Sequence, residues 1–169
     1  MTAEEARGWP DPVPRIAHGG WARFAERAPS DVLRTIDALR HDIDPLVLAV
    51  RRTPMTFLHG DWKLGNLGVA PRRTVLLDWT YAGIGPIGHD LAWYLSLNRA
   101  RLPEPKEDSI EAVRRSLEAR GIATADWWEA QVELCLLGAL VQFGWEKALG
   151  DDDELGWWCT AAADGLELL

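Results

Sequence analysis

Apolar positions along the chain change period twice, and the changes divide it into a helical start, a short β-prone middle and a helical remainder. Residues to Arg15 include Pro10, Pro12 and Pro14, which lack a backbone donor and restrict the residues before them. An irregular lead-in is therefore expected over residues 1–18. From Ser30 to about Ala49, Val32, Leu33, Ile36, Leu39, Ile43, Leu46 and Val47 recur at intervals of three and four. That spacing predicts one amphipathic helix, with Ser30 or Asp31 available as its cap. Met55–Leu58, Leu67–Val69 and Thr74–Asp78 are short β-prone pieces separated by Gly, Asn, Pro and paired Arg, and they predict small strands around loops.

Beyond Pro86 the helical period returns, with Ile87, Leu91, Tyr94 and Leu95 on one face and a stop expected before Pro103. Three more helices fit the rest. Asp108 with Glu111 suggests a capped start before Ile110–Ala119, and Gly121 a left-handed stop after it. Asp126 with Glu129 suggests the next start. That helix is apolar nearly all round between Val132 and Trp145, which implies burial on several sides. The acidic run Asp151–Glu154 belongs at the opening of a last helix, where it complements the helix dipole. These elements predict a predominantly helical α+β chain, organised as a single domain over residues 1–169.

Composition narrows the functional classes. A chain of 169 residues that is 47% hydrophobic can bury a core. A net charge of −8 argues against non-specific nucleic-acid binding, which draws its affinity from Lys and Arg, and it leaves room for a cationic small molecule. No apolar run approaches the ~20 residues that span a bilayer. The amino terminus does not read as an export signal, so a cytoplasmic location without membrane association is expected. Cys135 and Cys159 lie in apolar helical contexts and read as buried, reduced thiols. Ten tryptophans suit helix packing, although Trp62 is positioned to line a pocket.

Chemistry concentrates in Leu58-His59-Gly60-Asp61-Trp62-Lys63-Leu64-Gly65-Asn66 and in the following Val75-Leu76-Leu77-Asp78-Trp79. An acid and an amide lie five residues apart in a loop, and a second acid closes the next hairpin. Phosphoryl transfer from a nucleotide needs such a set: one carboxylate to receive the proton of the attacking hydroxyl, and oxygen ligands for Mg²⁺. The pairs His41-Asp42 and His89-Asp90 also admit an HD-type metal phosphohydrolase, but read better as a helix-surface pair and a helix-start pair.

HGDWKLGN resembles the HGDxxxxN catalytic loop of the aminoglycoside phosphotransferase and choline kinase family, and LLDW resembles its metal-binding Asp segment. The resemblance implies the carboxy-terminal lobe of a protein-kinase-like fold over roughly residues 20 to 169, with a small β element carrying the catalytic loop. By the same resemblance Asp61 is the catalytic base, Asn66 and Asp78 are the Mg²⁺ ligands that hold the nucleotide phosphates, and His59 is structural. Gly85-Pro86-Ile-Gly-His-Asp90-Leu91-Ala92 matches a family segment whose Asp braces the loop, a role that falls to Asp90. Lys63 stands where related serine/threonine kinases place a lysine facing the transferred phosphate, and it joins Asp61 as a catalytic candidate.

The implied activity is transfer of the γ-phosphate of ATP to a hydroxyl of a small molecule, with Mg²⁺. The amino-terminal lobe of that fold is expected to be absent. Before His59 the sequence has no Lys and no glycine-rich phosphate loop, only the pair Gly19-Gly20. This pattern fits a truncated or fragmentary kinase, a lobe supplied in trans, or a non-catalytic substrate-binding module. It also predicts an exposed apolar face that favours association.

Overall fold

The computed structural model describes residues 13–98, 101–102 and 104–169, and they are predominantly helical. The chain divides into two compact units, one of residues 1–47 with 136–169 and the other of residues 48–135. The described part of the first unit holds α1 (Val13–Arg27), α2 (Ser30–His41), the first residues of α3 (Asp44–Val50), the end of α6 (Trp128–Lys147) and α7 (Asp152–Leu166). Phe24, Ile36, Leu137, Leu140 and Trp158 are essentially inaccessible and form its core, with α2 packed against α7.

Helix α1 corrects the irregular lead-in expected through residue 18, because the chain is helical from Val13; residues 1–12 lie outside those described. Pro14 is compatible with this start, since the first turn of a helix has no intrahelical acceptor for its N–H groups. The single helix expected from Ser30 to Ala49 is interrupted. Asp42 is extended (φ −140°, ψ 104°), and its carboxylate accepts the N–H of Asp44 at 3.0 Å. Pro45 explains the break, for it has no N–H to donate to His41 and its ring would collide with that carbonyl in a continuous helix. The last helix starts as its acidic run suggests: Asp151 is the cap and accepts the N–H of Glu154 at 2.8 Å.

In the second unit two antiparallel pairs carry the loops. β1 (Thr56–Leu58) pairs with β4 (Gly83–Gly85) in the register Thr56↔Gly85 and Leu58↔Gly83. β2 (Leu67–Ala70) and β3 (Arg73–Leu76) form a hairpin, Leu67↔Leu76 to Ala70↔Arg73, whose turn places Arg72 at φ 67°. β4 is not among the expected strands, since Gly-Ile-Gly is too short and too glycine-rich to show alternation. Phe57 and Ile84 are cross-strand partners, 63% and 77% exposed, so this pair presents apolar side chains outward.

Helix α4 (Ile87–Leu97) follows Pro86 as expected and buries Leu91 and Leu95. α5 (Lys106–Glu118) begins before the expected Asp108 cap: Pro105 precedes it, and Asp108 lies in its first turn. Gly121 takes φ +80°, the left-handed conformation assigned to it. α6 opens at Trp128, two residues past Asp126, with the Trp128 N–H held by the carbonyl of Thr124.

Gln131, fully buried on α6, ties this unit together. Its amide oxygen accepts the N–H of Gly88 at the start of α4 (3.1 Å), while its nitrogen donates to Thr53 Oγ1 and the Pro54 carbonyl (2.8 Å each) just before β1. One side chain thereby sets the entry of both elements that flank the loop at residues 59–66. Cys135 and Cys159 are free and buried, each within its own unit, and burial pushes their thiols up to about 12 and about 11. Among the described residues no helix is long and apolar enough to cross a membrane.

Candidate active site

The loop between β1 and β2 is held first through its backbone. Asp90, buried in the opening turn of α4, accepts the N–H of His59 at Oδ2 (2.8 Å) and the N–H of Gly60 at Oδ1 (2.9 Å). The two amides, adjacent in the loop, therefore share one carboxylate. His59 adds a second tie. Its Nδ1 accepts the N–H of Asp61 at 3.2 Å, so the proton is on Nε2, which donates to the Leu77 carbonyl at 2.8 Å. The imidazole thus bridges the loop to the segment that ends in Asp78.

Gly60 is required by geometry. It sits at φ +79°, and a Cβ there would lie 2.1 Å from the Tyr81 carbonyl oxygen. Gly60→Ala is expected to cost about 1–2 kcal/mol for the backbone conformation alone. Displacement of residue 81 adds to that cost, and the lowered midpoint of a urea unfolding curve measures the sum. An unchanged midpoint would contradict the geometry.

On this frame Asp61 is buried (4% exposed) and receives donors at both oxygens. Lys63 Nζ and Asn66 Nδ2 reach Oδ2 at 2.6 and 2.9 Å, and the Trp93 indole N–H reaches Oδ1 at 2.8 Å. Asn66 Nδ2 also donates to the Asp61 carbonyl at 2.9 Å. Burial pushes the Asp61 carboxyl up. The hydrogen bonds from Lys63, Trp93 and Asn66, with the Lys63 charge, outweigh burial and hold it below the ordinary carboxylate range.

Asn66 closes the short 3₁₀ turn Leu64–Asn66 and is buried. Because its amide nitrogen is spent on Asp61, Oδ1 is the atom left to act as an oxygen ligand. Its carbonyl accepts the N–H of Leu77 at 2.8 Å, which places Asp78 one residue beyond. Asp78 itself is exposed, at φ 58°, and its Oδ1 accepts the Thr80 hydroxyl at 2.6 Å. The left-handed backbone, uncommon for a non-glycine residue, turns the chain sharply after β3. The structure therefore brings Asp61, Lys63 and Asn66 into direct contact. Asp78 is linked to them through the backbone of Leu77, and its carboxylate bonds to Thr80 instead of to Asp61 or Asn66.

Three contributors are not evident in the sequence pattern. Trp93 bonds Asp61, Tyr94 stacks on Trp62 (centroids 4.9 Å apart, planes 27°), and buried Asn98 accepts the N–H of Leu64 at 3.0 Å. With Asp90 they occupy positions i, i+3, i+4 and i+8, one face of α4 and its C-cap. That spacing is the signal from which they could have been found once Asp90 was placed against the loop.

Beside the loop lies a cavity of about 600 Å³ whose lining includes Phe57, His59, Trp62, Trp79, Ile87 and Asp90. Trp62 lines this cavity while its ring stacks on Tyr94. Phe57 and Trp79 stack at its edge with centroids 6.0 Å apart. The pairs His41-Asp42 and His89-Asp90 are not joined by further His, Cys, Asp or Glu into a metal-holding group among the described residues. His41 caps a helix end on the surface through the Asp37 carbonyl, which disfavours the phosphohydrolase reading.

The loop thus joins a buried, multiply hydrogen-bonded Asp to an amide five residues on, and a second acid follows the β2–β3 hairpin. The chain matches the phosphotransferase enzyme family over residues 4–128 and belongs to that family. No curated protein and no solved structure matches it significantly.

Proposed function

We propose that this chain carries the catalytic-loop half of a kinase that transfers the γ-phosphate of ATP to a hydroxyl of a small, cationic molecule in the cytoplasm. The observation that carries the reading is the Asp61–Lys63–Asn66 cluster, held by Asp90 at the backbone beneath it. Asp61 would receive the hydroxyl proton as that oxygen bonds to the γ-phosphorus and the bond to the bridging oxygen of the departing ADP breaks. Lys63, 37% exposed at its side chain, can turn from Asp61 to the phosphoryl oxygens and offset their charge.

The residues fit a hard divalent cation. Asn66 is oriented with its amide oxygen free, and Asp78 offers an exposed carboxylate one residue past the Leu77 tie. Mg²⁺ held there would neutralise the β- and γ-phosphate oxygens. The aromatic walls of the cavity and a net charge of −8 favour an amino-sugar or amino-alcohol acceptor. The glycine-rich loop and strand lysine that complete a nucleotide site are not found before His59, so nucleotide binding would draw on a second lobe, in trans or in a longer chain.

The test is transfer of labelled phosphate from ATP, with Mg²⁺, to glucosamine and ethanolamine as representative acceptors, with the nucleotide lobe supplied in trans or as part of a longer chain. Phosphorylated acceptor is the expected product. Calorimetric binding of an acceptor with no transfer would favour the non-catalytic binding module instead.

A further inference from the structure

Of the three donors on Asp61, two converge on the same oxygen. Lys63 and Asn66 both bind Oδ2, whereas Oδ1 receives the Trp93 indole N–H. A carboxylate held at one oxygen still swings about its terminal torsion, which has a broad energy profile. Held at both, its plane is set. Each carboxylate oxygen has two lone-pair directions, so Oδ2 is filled by its two donors and Oδ1 keeps one acceptor site open.

The donors also differ in kind. Lys63 is charged and part-exposed, and an incoming phosphate would compete for it. Asn66 has a ligand role on its other amide atom. The indole N–H is a neutral donor that neither titrates nor accepts, so its hold on Oδ1 is independent of what binds beside it. Trp93 is half-buried, packs against His89 (centroids 5.8 Å), and stands one helical turn after Asp90. The same turn of α4 therefore clamps the loop backbone and the carboxylate that the loop presents.

We propose that Trp93 is a positioning residue for phosphoryl transfer: it pins Oδ1 of Asp61 so that the acceptor hydroxyl is received at the open site of that one oxygen. The inference rests on the kinase reading above, but its geometric half can be tested without turnover.

The geometric test uses protein with ¹⁵N-labelled indole. The Trp93 Nε1–H resonance, assigned by its loss in Trp93→Phe, should move in Asp61→Ala. If Asp61→Ala does not fold, Asp61→Asn should move it upfield, because a neutral acceptor replaces a charged one. An unmoved resonance in a folded variant overturns the inference whatever the chain catalyses.

The functional test is steady-state kinetics of Trp93→Phe, which keeps a ring and removes the donor, with ATP, Mg²⁺ and glucosamine or ethanolamine. The expected result is a fall in kcat of about 10–100-fold, the scale for a misplaced catalytic group, with both KM values within about twofold. In an Asp61→Asn background the same change should have no further effect. An unchanged kcat, a loss confined to KM, or additivity with Asp61→Asn overturns the positioning role. If the indole resonance responds to Asp61 but the wild-type chain, supplied with its nucleotide lobe, transfers phosphate to no acceptor, the kinase reading has failed, and the positioning role falls with it while the contact stands.

Discussion

Asp61→Asn is expected to reduce phosphoryl transfer by about 10²–10⁴-fold, the range for removal of a positioned general base. The substitution keeps the volume of the side chain but replaces one oxygen by an NH₂ group. In either orientation that group faces a donor: Trp93 on one side, or Lys63 and Asn66 on the other. At least one donor thus loses its acceptor, which costs about 1–3 kcal/mol of stability in addition to the lost base.

This cost depends on pH in a defined sense. The Asp61 carboxyl lies below its ordinary range when folded, so its contribution to stability is present above the unfolded pKa and disappears as pH falls through the folded one. The stability gap between wild type and Asp61→Asn should therefore be full at pH 7 and narrow below about pH 4, near the unperturbed Asp value. Urea unfolding at both pH values measures the gap, and labelled-phosphate transfer measures the base. Transfer undiminished in the variant removes Asp61 from the reaction.

Asp90→Ala should have the largest effect on the fold. It strips the acceptor from two adjacent backbone amides, His59 and Gly60, neither of which can turn elsewhere because His59 is also tied to Leu77 and Gly60 is wedged against Tyr81. At about 1–3 kcal/mol for each unsatisfied donor, the loss is about 2–6 kcal/mol. Water entering the adjoining cavity would hold it toward the lower figure. Transfer should fall with stability, since the loop that carries Asp61 and Asn66 loses its support. Asp90→Asn, which retains one acceptor oxygen, should fall between wild type and Asp90→Ala. A wild-type unfolding midpoint for Asp90→Ala would show that the loop does not depend on this carboxylate.

Much of this site is legible in the order of residues. His59-Gly60-Asp61 through Asn66 specifies a turn, an acid and an amide at a spacing a short loop can close, and the Asp-Leu-Ala of α4 marks a carboxylate at a helix start. The readings that needed correction share a cause, which is that local signals compete. Pro14 has the chemistry of a helix breaker but sits in a first turn, whereas Pro45 lies within a run of helical period that is interrupted. Asp108 has the chemistry of a cap, yet the chain enters α5 at Lys106, after Pro105.

Periodicity and motif spacing decide which residues are available because they act over one or two turns, where chain geometry alone brings groups together. They indicate the helices, the β hairpin and the identities of Asp61, Asn66, Asp78 and Asp90. Which oxygen of Asp61 meets which donor, and that Trp93 is one of them, are settled only by folding. Asp61 and Trp93 are 32 residues apart, and Asp90 and Gly60 are 30 apart. A contact across that distance depends on how α4 is seated by Gln131 and its core leucines, and no local preference of either partner encodes it.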